Sequence, residues 1–132
     1  MRTMKFRAYR KVFKTMHEVY SLGKYYSIIW ADITHKNGDS EIVLMEVPNY
    51  ELEMLQFVGM FDVDDKEIYE GDLLKDNRVD EDNIYTVEYE DGGFYAEGLD
   101  NEYLWNCLDY LKKIGNKFEN PEEAKWESEY LK

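Results

Sequence analysis

Strand-like segments joined at glycine turns constrain the fold of this chain more than any other feature. Residues 24–34 and 41–47 are rich in aromatic and β-branched side chains, and Asn37-Gly38 between them is a strong hairpin signal. Residues 83–98 repeat the arrangement around Gly92-Gly93. Apolar and polar side chains that alternate with a period of two are typical of half-buried strands. The sequence therefore predicts a mainly β, antiparallel protein.

Length and composition fit one small domain built from such strands. The chain has 132 residues, of which 16% are aromatic, and flat aromatic side chains favour sheets. We expect antiparallel SH3-like barrel or sandwich elements, with N-terminal hairpins over about 1–60 and an SH3-like unit over about 61–119. Asn120 as cap and Pro121 at the first position predict a short C-terminal helix over about 121–131. The spacing of Leu104, Leu108 and Leu111 also fits a helix, and residues 99–113 stay ambiguous.

The single cysteine and the N-terminal segment indicate a protein of a reducing compartment. Cys107 has no partner for an internal disulfide. No run of about 18 apolar residues occurs, and the segment MRTMKFRAYRK lacks the apolar core of a secretory signal. We therefore expect an intracellular protein without a membrane segment.

Charge is distributed unevenly along the chain. Residues 1–36 hold eight basic and two acidic residues, whereas the remainder holds eight basic and 27 acidic ones, within a total of −13. Residues 62–91 alone contain 13 acids against three basic residues. The simplest interpretation is that the two regions attract each other, within one molecule or between subunits.

The acidic stretch DVDDKEIYEGD raises two hypotheses about chemistry. Asp62 and Asp64 begin like a calcium loop, but Lys66 and Glu67 stand where a ligand and a glycine are required. Glu70 and Asp72 could form an acid/base pair, which would need a cleft and a raised pKa. A Gly-Asp turn that enters a strand explains the same residues with fewer requirements. We expect no metal site and no catalytic carboxylate here.

Other catalytic and cofactor sites find little support. Cys107 with His17 or His35 could form a nucleophile and base, yet no third orienting group stands nearby. One cysteine and two scattered histidines do not make a structural zinc site. No phosphate-binding glycine loop is present. The expectation is a protein that is not an enzyme and has no cofactor.

Nucleic-acid binding and its mimicry remain as alternatives. Basic and aromatic residues interleave in the first strand and turn, giving a candidate basic interaction patch: Lys5, Arg7, Arg10, Lys11 and Lys14. Conversely, the acidic region could imitate DNA and inhibit a host nucleic-acid-binding protein. Glu88 and Glu90 on one strand face would lie about 6.6 Å apart, which is sparser than the roughly 3.4 Å charge spacing of a DNA strand, so several strands would have to cooperate.

Four segments together resemble a known family. KFRAY, LQFVGMFDVDDKEIYEGDLLK, VEYEDGGF and IGNKFENPE look, in this order, like the motifs of the YopX family of bacteriophage and prophage proteins. Tyr9, Val58 and Asp65 depart from the family's usual Trp, Thr and Gly. The residues that match, which we expect to be mainly structural, include Phe6, Arg7, Ala8, Gln56, Gly59, Asp62, Glu67, Ile68, Tyr69, Glu70, Gly71, Asp72, Gly92, Gly93, Phe94, Ile114, Gly115, Asn116, Asn120 and Pro121.

The resemblance implies an all-β fold with barrel-like parts, phage origin, a place in the cytoplasm of the bacterial host cell and assembly as an oligomer. It implies no established catalytic or binding residues. Together with the aromatic strands at 25–33 and 52–58, which are apolar on both faces, it leads us to expect a non-enzymatic accessory protein. Its expected partners are other copies of itself and, in addition, a host protein.

Overall fold

The computed structural model describes residues 5–78, 84–90, 92–97, 102–104 and 109–121. Every described strand pairing is antiparallel, which confirms the mainly β prediction. No α-helix occurs in these ranges, and a 3-10 turn covers Asn49–Glu51. The strands are β1 Phe6–Arg10, β2 Thr15–Ser21, β3 Tyr26–Thr34, β4 Ser40–Pro48, β5 Leu52–Phe61, β6 Glu67–Tyr69, β7 Asp72–Asp76, β8 Ile84–Glu90, β9 Gly93–Glu97, β10 Glu102–Tyr103 and β11 Leu111–Asn116.

The chain divides into an N-terminal unit, Lys5–Leu55, and a C-terminal unit that starts at Gln56. In the N-terminal unit the strand order is β4-β3-β2-β1-β5. In the C-terminal unit the second half of β5 pairs with β6, and a five-stranded sheet has the order β10-β9-β8-β7-β11. No pairing among the described strands closes this sheet into a barrel, so the predicted SH3-like barrel is not confirmed; the sheet is antiparallel and open.

The N-terminal hairpins form where the turn residues predict them. β1 and β2 pair from Arg7↔Glu18 to Arg10↔Thr15. β3 and β4 stay in register over nine residue pairs and turn at Gly38, whose φ of +91° favours glycine. Side chains of β1, β3, β4 and β5 form the core of this unit: Ala8, Ile29, Val47 and Leu52.

A glycine lies inside β5. The apolar run LEMLQFVG ends at Gly59, but the strand continues to Phe61. Gly59 has a φ of +82°, and the pairing with β6 shifts register between Phe57 and Phe61. A left-handed residue in such an irregularity is a β-bulge, which bends a strand without ending it.

The core of the C-terminal unit draws on both of its sheets. β8 and β9 pair from Thr86↔Glu97 to Glu90↔Gly93, which confirms the second predicted hairpin. Leu104 follows β10 and Leu111 begins β11, and both are fully buried. Leu104 and Leu111 thus belong to the core of this unit, whereas Leu108, the third residue of the predicted helical spacing, lies outside the described residues. The buried members are Val58, Ile68, Leu74, Val87, Phe94, Ala96, Leu104 and Leu111.

Two further expectations concern helices. The predicted C-terminal helix over 121–131 lies, apart from Pro121, outside the described residues. Within the described ranges, no helix has the length and apolar character that crossing a bilayer requires.

Candidate functional site

The turn between β6 and β7 is built around Gly71. Its φ is +82°, its N–H donates to Val87 O at 2.8 Å, and its carbonyl accepts Lys117 N–H at 2.8 Å. A Cβ at this position would lie 2.9 Å from Phe118 Cε2. Both the backbone conformation and the packing therefore call for glycine.

Asp72 stabilises this turn from inside the protein. Its side chain is fully buried, accepts Tyr69 N–H at 2.7 Å and lies 3.2 Å from Lys113 Nζ. Lys113 Nζ also donates to Glu67 O at 3.2 Å. These contacts agree with the interpretation of Asp72 as a bracing residue. A carboxylate held by a backbone donor and a lysine is occupied with folding and is not exposed to a substrate.

Glu70 has a different environment from Asp72, although it stands only two residues away. Its Oε1 accepts Gln56 N–H at 3.1 Å, while its own N–H donates to Gln56 O at 2.9 Å. The glutamate thus binds both backbone groups of a residue on β5. Its side chain then lines a pocket of the C-terminal unit.

This Glu70 pocket has a volume of about 460 Å³. The rings of Tyr89 and Phe94 meet edge to face there, with centroids 5.1 Å apart. Among the described lining residues no histidine, cysteine, lysine or second carboxylate occurs. The set suits binding better than acid/base catalysis, which ordinarily needs a second group. The lining comprises Gln56, Met60, Glu70, Tyr89, Gly92, Gly93, Phe94 and Tyr103.

The last motif residues, Gly115, Asn116 and Asn120, lie in a turn at the end of β11. Asn116 Oδ1 accepts the N–H groups of Phe118 and Glu119 at 3.1 and 2.9 Å. Asn120 Oδ1 accepts Asn116 N–H at 3.2 Å. A Cβ at Gly115 would overlap Asn120 Oδ1. These residues form a hydrogen-bonded turn, which agrees with the expectation that this part of the motif is structural.

The acidic loop between β5 and β6 is organised by Asp62. The side chain accepts N–H groups of Asp64, Lys66 and Lys113 at 2.8 to 2.9 Å. Burial alone would raise the pKa of Asp62, but these three backbone donors outweigh it and lower that pKa. Asp65, where the family has glycine, keeps the turn with a φ of +60°.

Other acids of residues 62–91 are also used internally. Arg78 donates three hydrogen bonds to the Asp76 carboxylate, at 2.9 to 3.1 Å. These bonds lower the pKa of Asp76, although burial alone would raise it. Glu88 binds Lys117 Nζ at 2.8 Å. No group of three His, Cys, Asp or Glu residues that could hold a metal ion occurs among the described residues. Acids that are buried or paired in this way do not contribute to the row of free charges that imitation of DNA would require.

The candidate basic patch is only partly exposed. Arg7 is buried, with 8% of its surface accessible. The Arg10 guanidinium lies 4.4 Å from the ring centroid of Phe13, and Lys5 is half-buried. Lys11 and Lys14 are exposed. The positive surface is therefore smaller than the sequence indicates.

A second surface in the N-terminal unit is apolar. The outer patch, as we name it, consists of four exposed side chains on one face of β2, β3 and β4: Tyr20, Trp30, Ile42 and Leu44. Trp30 lies directly opposite Leu44, and its ring meets that of Tyr20 at 5.7 Å between centroids. The aromatic strand at 25–33 signalled such a surface in the sequence, but the contributions of β2 and β4 required the strand register.

Comparisons with known proteins agree with the motif resemblance. A family model described as YopX protein matches residues 5–123. No curated protein sequence matches the chain significantly. The crystal structure of protein EF1440 from Enterococcus faecalis is similar, with 28% identity and a TM-score of 0.69, over 92% of this chain and 98% of that one. Protein yopX from Bacillus subtilis shares the fold at 20% identity and a TM-score of 0.55, over 89% of this chain and 95% of that one.

Proposed function

The chain belongs to the YopX family, and we propose that it is a non-enzymatic protein that acts through protein contacts, first of all with copies of itself. The observation that carries the proposal is the outer patch. The proposed setting is the cytoplasm of a bacterium that carries the phage or prophage, as the family resemblance implies.

The outer patch exposes more large apolar surface than isolated side chains would. Its members are exposed by 58% (Tyr20), 39% (Trp30), 68% (Ile42) and 46% (Leu44). Trp30 contacts Tyr20 and pairs with Leu44, and Ile42 lies two residues from Leu44 on the same face, so the four form one area. The exposed Asp32 of β3, opposite Ile42, borders this area. Contiguous exposed apolar area on a soluble domain marks a surface that gains free energy when it is covered.

The strand at the border of this patch favours a second copy as the cover. β4 ends the strand order, and no strand pairs with its other edge within the residues that the structure describes. The strand has nine residues, pairs with β3 without a bulge, contains no lysine and has its proline at the last position. Exposed edges usually carry charges, bulges or prolines that prevent pairing. β4 has no bulge and no lysine, and its only charges are those of Glu41 and Glu46, so the strand is suited to add another.

Two copies of β4 would be compatible as antiparallel partners. In a two-fold pairing centred on Val43, Ile42 of one copy would face Leu44 of the other, so the two outer patches would continue across the junction. Glu41 and Glu46 point to opposite faces of the strand, because they are an odd number of residues apart. They therefore do not oppose each other in any two-fold pairing.

Charge also favours contact through this unit. Residues 5–55 contain seven basic and seven acidic residues, although the whole chain carries −13. Two strongly negative molecules repel each other least where the local charge is balanced. The N-terminal unit is thus the part of the chain that two copies can bring together at the lowest electrostatic cost.

Sedimentation velocity over a micromolar concentration series tests the proposal. We expect the wild-type chain to associate, and Ile42→Lys to shift the equilibrium toward the monomer, since lysine at an edge discourages strand pairing. Tyr50→Lys is the matched control, because Tyr50 is 80% exposed and lies on the 3-10 turn outside the patch.

Two results would count against the proposal. One is a wild-type chain that stays monomeric throughout the series. The other is an equal loss of association in Ile42→Lys and Tyr50→Lys, which would reflect added charge and not the outer patch. Circular dichroism of both variants checks that the fold is retained.

A further inference from the structure

We infer that the Glu70 pocket binds a compact organic cation, with a guanidinium or substituted ammonium head group. The pocket belongs to the C-terminal unit, whereas the outer patch belongs to the N-terminal unit. The inference therefore goes beyond the proposed self-association and does not depend on it.

Aromatic rings supply the walls that such a cation needs. Phe94 is buried, while Tyr89 and Tyr103 are about half exposed. Tyr89 and Phe94 are cross-strand partners on one face of the sheet and meet edge to face. Tyr103 pairs with Tyr95 on the other face, stacks on its ring with centroids 4.6 Å apart and borders the pocket beside Gly93. Faces of aromatic rings attract cations through their quadrupole, and aromatic cages recognise substituted ammonium groups in this way.

Glu70 supplies the negative charge. Its Oε1 is held by Gln56 N–H at 3.1 Å, and within the described ranges no lysine or arginine forms an ion pair with this carboxylate. The contrast with Asp72, Asp76 and Glu88 is clear, because each of these has a cationic partner. A carboxylate fixed by the backbone but lacking a cation is pre-organised to accept one.

The remaining lining fits the same ligand. Gly93 lets the Tyr103 ring lie against the backbone, because a Cβ there would come within 3.3 Å of Tyr103 Cε1. The volume of about 460 Å³ lies within the range of small-ligand pockets. No basic residue lines the pocket among the described residues, so an anion would meet an unfavourable field. A head group with part of its alkyl stem matches both the size and the sign.

The head group could come from the side chain of a partner protein or from a free cation such as a polyamine. Titration of the full-length, 15N-labelled chain with arginine amide, choline and spermidine, followed by 1H–15N spectra, distinguishes these sources. Arginine amide is used in its Nα-acetylated form, so that the guanidinium is its only charge, and Nα-acetylcitrulline amide is its neutral control. For choline the neutral control is 3,3-dimethylbutanol. We expect cations to shift the amide signals of Gly92 and Gly93, and neutral analogues to leave them in place.

Two variants link binding to the named groups. Glu70→Gln keeps an oxygen for Gln56 N–H and removes the charge, and we expect cation affinity to fall by about tenfold. Tyr89→Leu removes a half-exposed ring and should weaken binding severalfold. Glu53→Gln, on an exposed residue of β5 outside the pocket, is the control and should bind like the wild type.

The outcomes separate this inference from the proposed function. A response to arginine amide alone identifies a protein side chain as the ligand, and a response to choline or spermidine identifies a free cation. No response to any cation, equal binding of the neutral analogues, or equal weakening by Glu53→Gln would overturn the inference. Self-association is measured on the same samples by sedimentation, and its result does not depend on whether a cation binds.

Discussion

Replacement of Asp72 by alanine tests the interpretation of the KEIYEGD motif as a folding element. The side chain is fully buried, and it accepts Tyr69 N–H at 2.7 Å and lies 3.2 Å from Lys113 Nζ. Alanine would remove the carboxylate that both Tyr69 N–H and Lys113 Nζ contact. Tyr69 N–H would then be left without a carboxylate in a site that water does not reach.

The expected loss in the free energy of unfolding follows from these two interactions of Asp72. A buried donor without an acceptor costs about 1–3 kcal/mol. The Lys113 side chain is 22% exposed and keeps its bond to Glu67 O, so losing its anion costs less than the roughly 3–5 kcal/mol typical of breaking a fully buried pair. We expect Asp72→Ala to lower the free energy of unfolding by about 2–4 kcal/mol. Asp72→Asn, which keeps an acceptor for Tyr69 N–H, should cost about half as much.

Urea unfolding, followed by tryptophan fluorescence and circular dichroism, measures these differences. Asp64→Ala is the matched control: its carboxylate, about half exposed, lies 3.8 Å from Lys112 Nζ, and a surface pair of this kind contributes less than about 1 kcal/mol. If Asp72→Ala were no more destabilising than Asp64→Ala, the bracing role would be refuted. The motif would then require a functional explanation.

Two further perturbations test other parts of the fold. The pKa of Asp62 is lowered in the folded state, so the unfolded state binds more protons in acid, and the free energy of unfolding should decline as the pH falls below about 4. In Asp62→Asn this pH dependence should be weaker, as measured by urea unfolding across an acidic pH series. A pH profile unchanged by the substitution would contradict this role of Asp62. Gly115→Ala places a Cβ against Asn120 Oδ1 and should cost about 1 kcal/mol through the Asn116–Asn120 hydrogen bond. In the background of Asn120→Gly the same change should cost less, and an additive double-mutant cycle would show that the overlap is not the cause.

The hairpins could be predicted from the sequence because their information is local. Asn37-Gly38 and Gly92-Gly93 specify turns by backbone conformation, and the flanking residues alternate with the period of a strand. The place of Gly59 within a strand could not be predicted, since glycine both ends strands and occupies bulges, and the pairing partner decides between the two.

The candidate site could not be predicted, because its parts meet only in three dimensions. Glu70 and Asp72 stand in one turn with equal formal charge. Asp72 nevertheless pairs with Lys113, whereas Glu70 lines the aromatic pocket. Tyr89, Phe94 and Tyr103 come from three strands, and no local spacing brings them to Glu70. The burial of Arg7 likewise depends on packing that a period-two pattern does not reveal.

Sedimentation velocity of the wild-type chain beside Ile42→Lys and Tyr50→Lys tests the central claim most directly. We expect a species larger than the monomer that dissociates on dilution, is less populated in Ile42→Lys and persists in Tyr50→Lys. Because the contact is apolar, moderate salt should leave the association in place. A monomer at every concentration would contradict the claim that the outer patch joins copies of this chain.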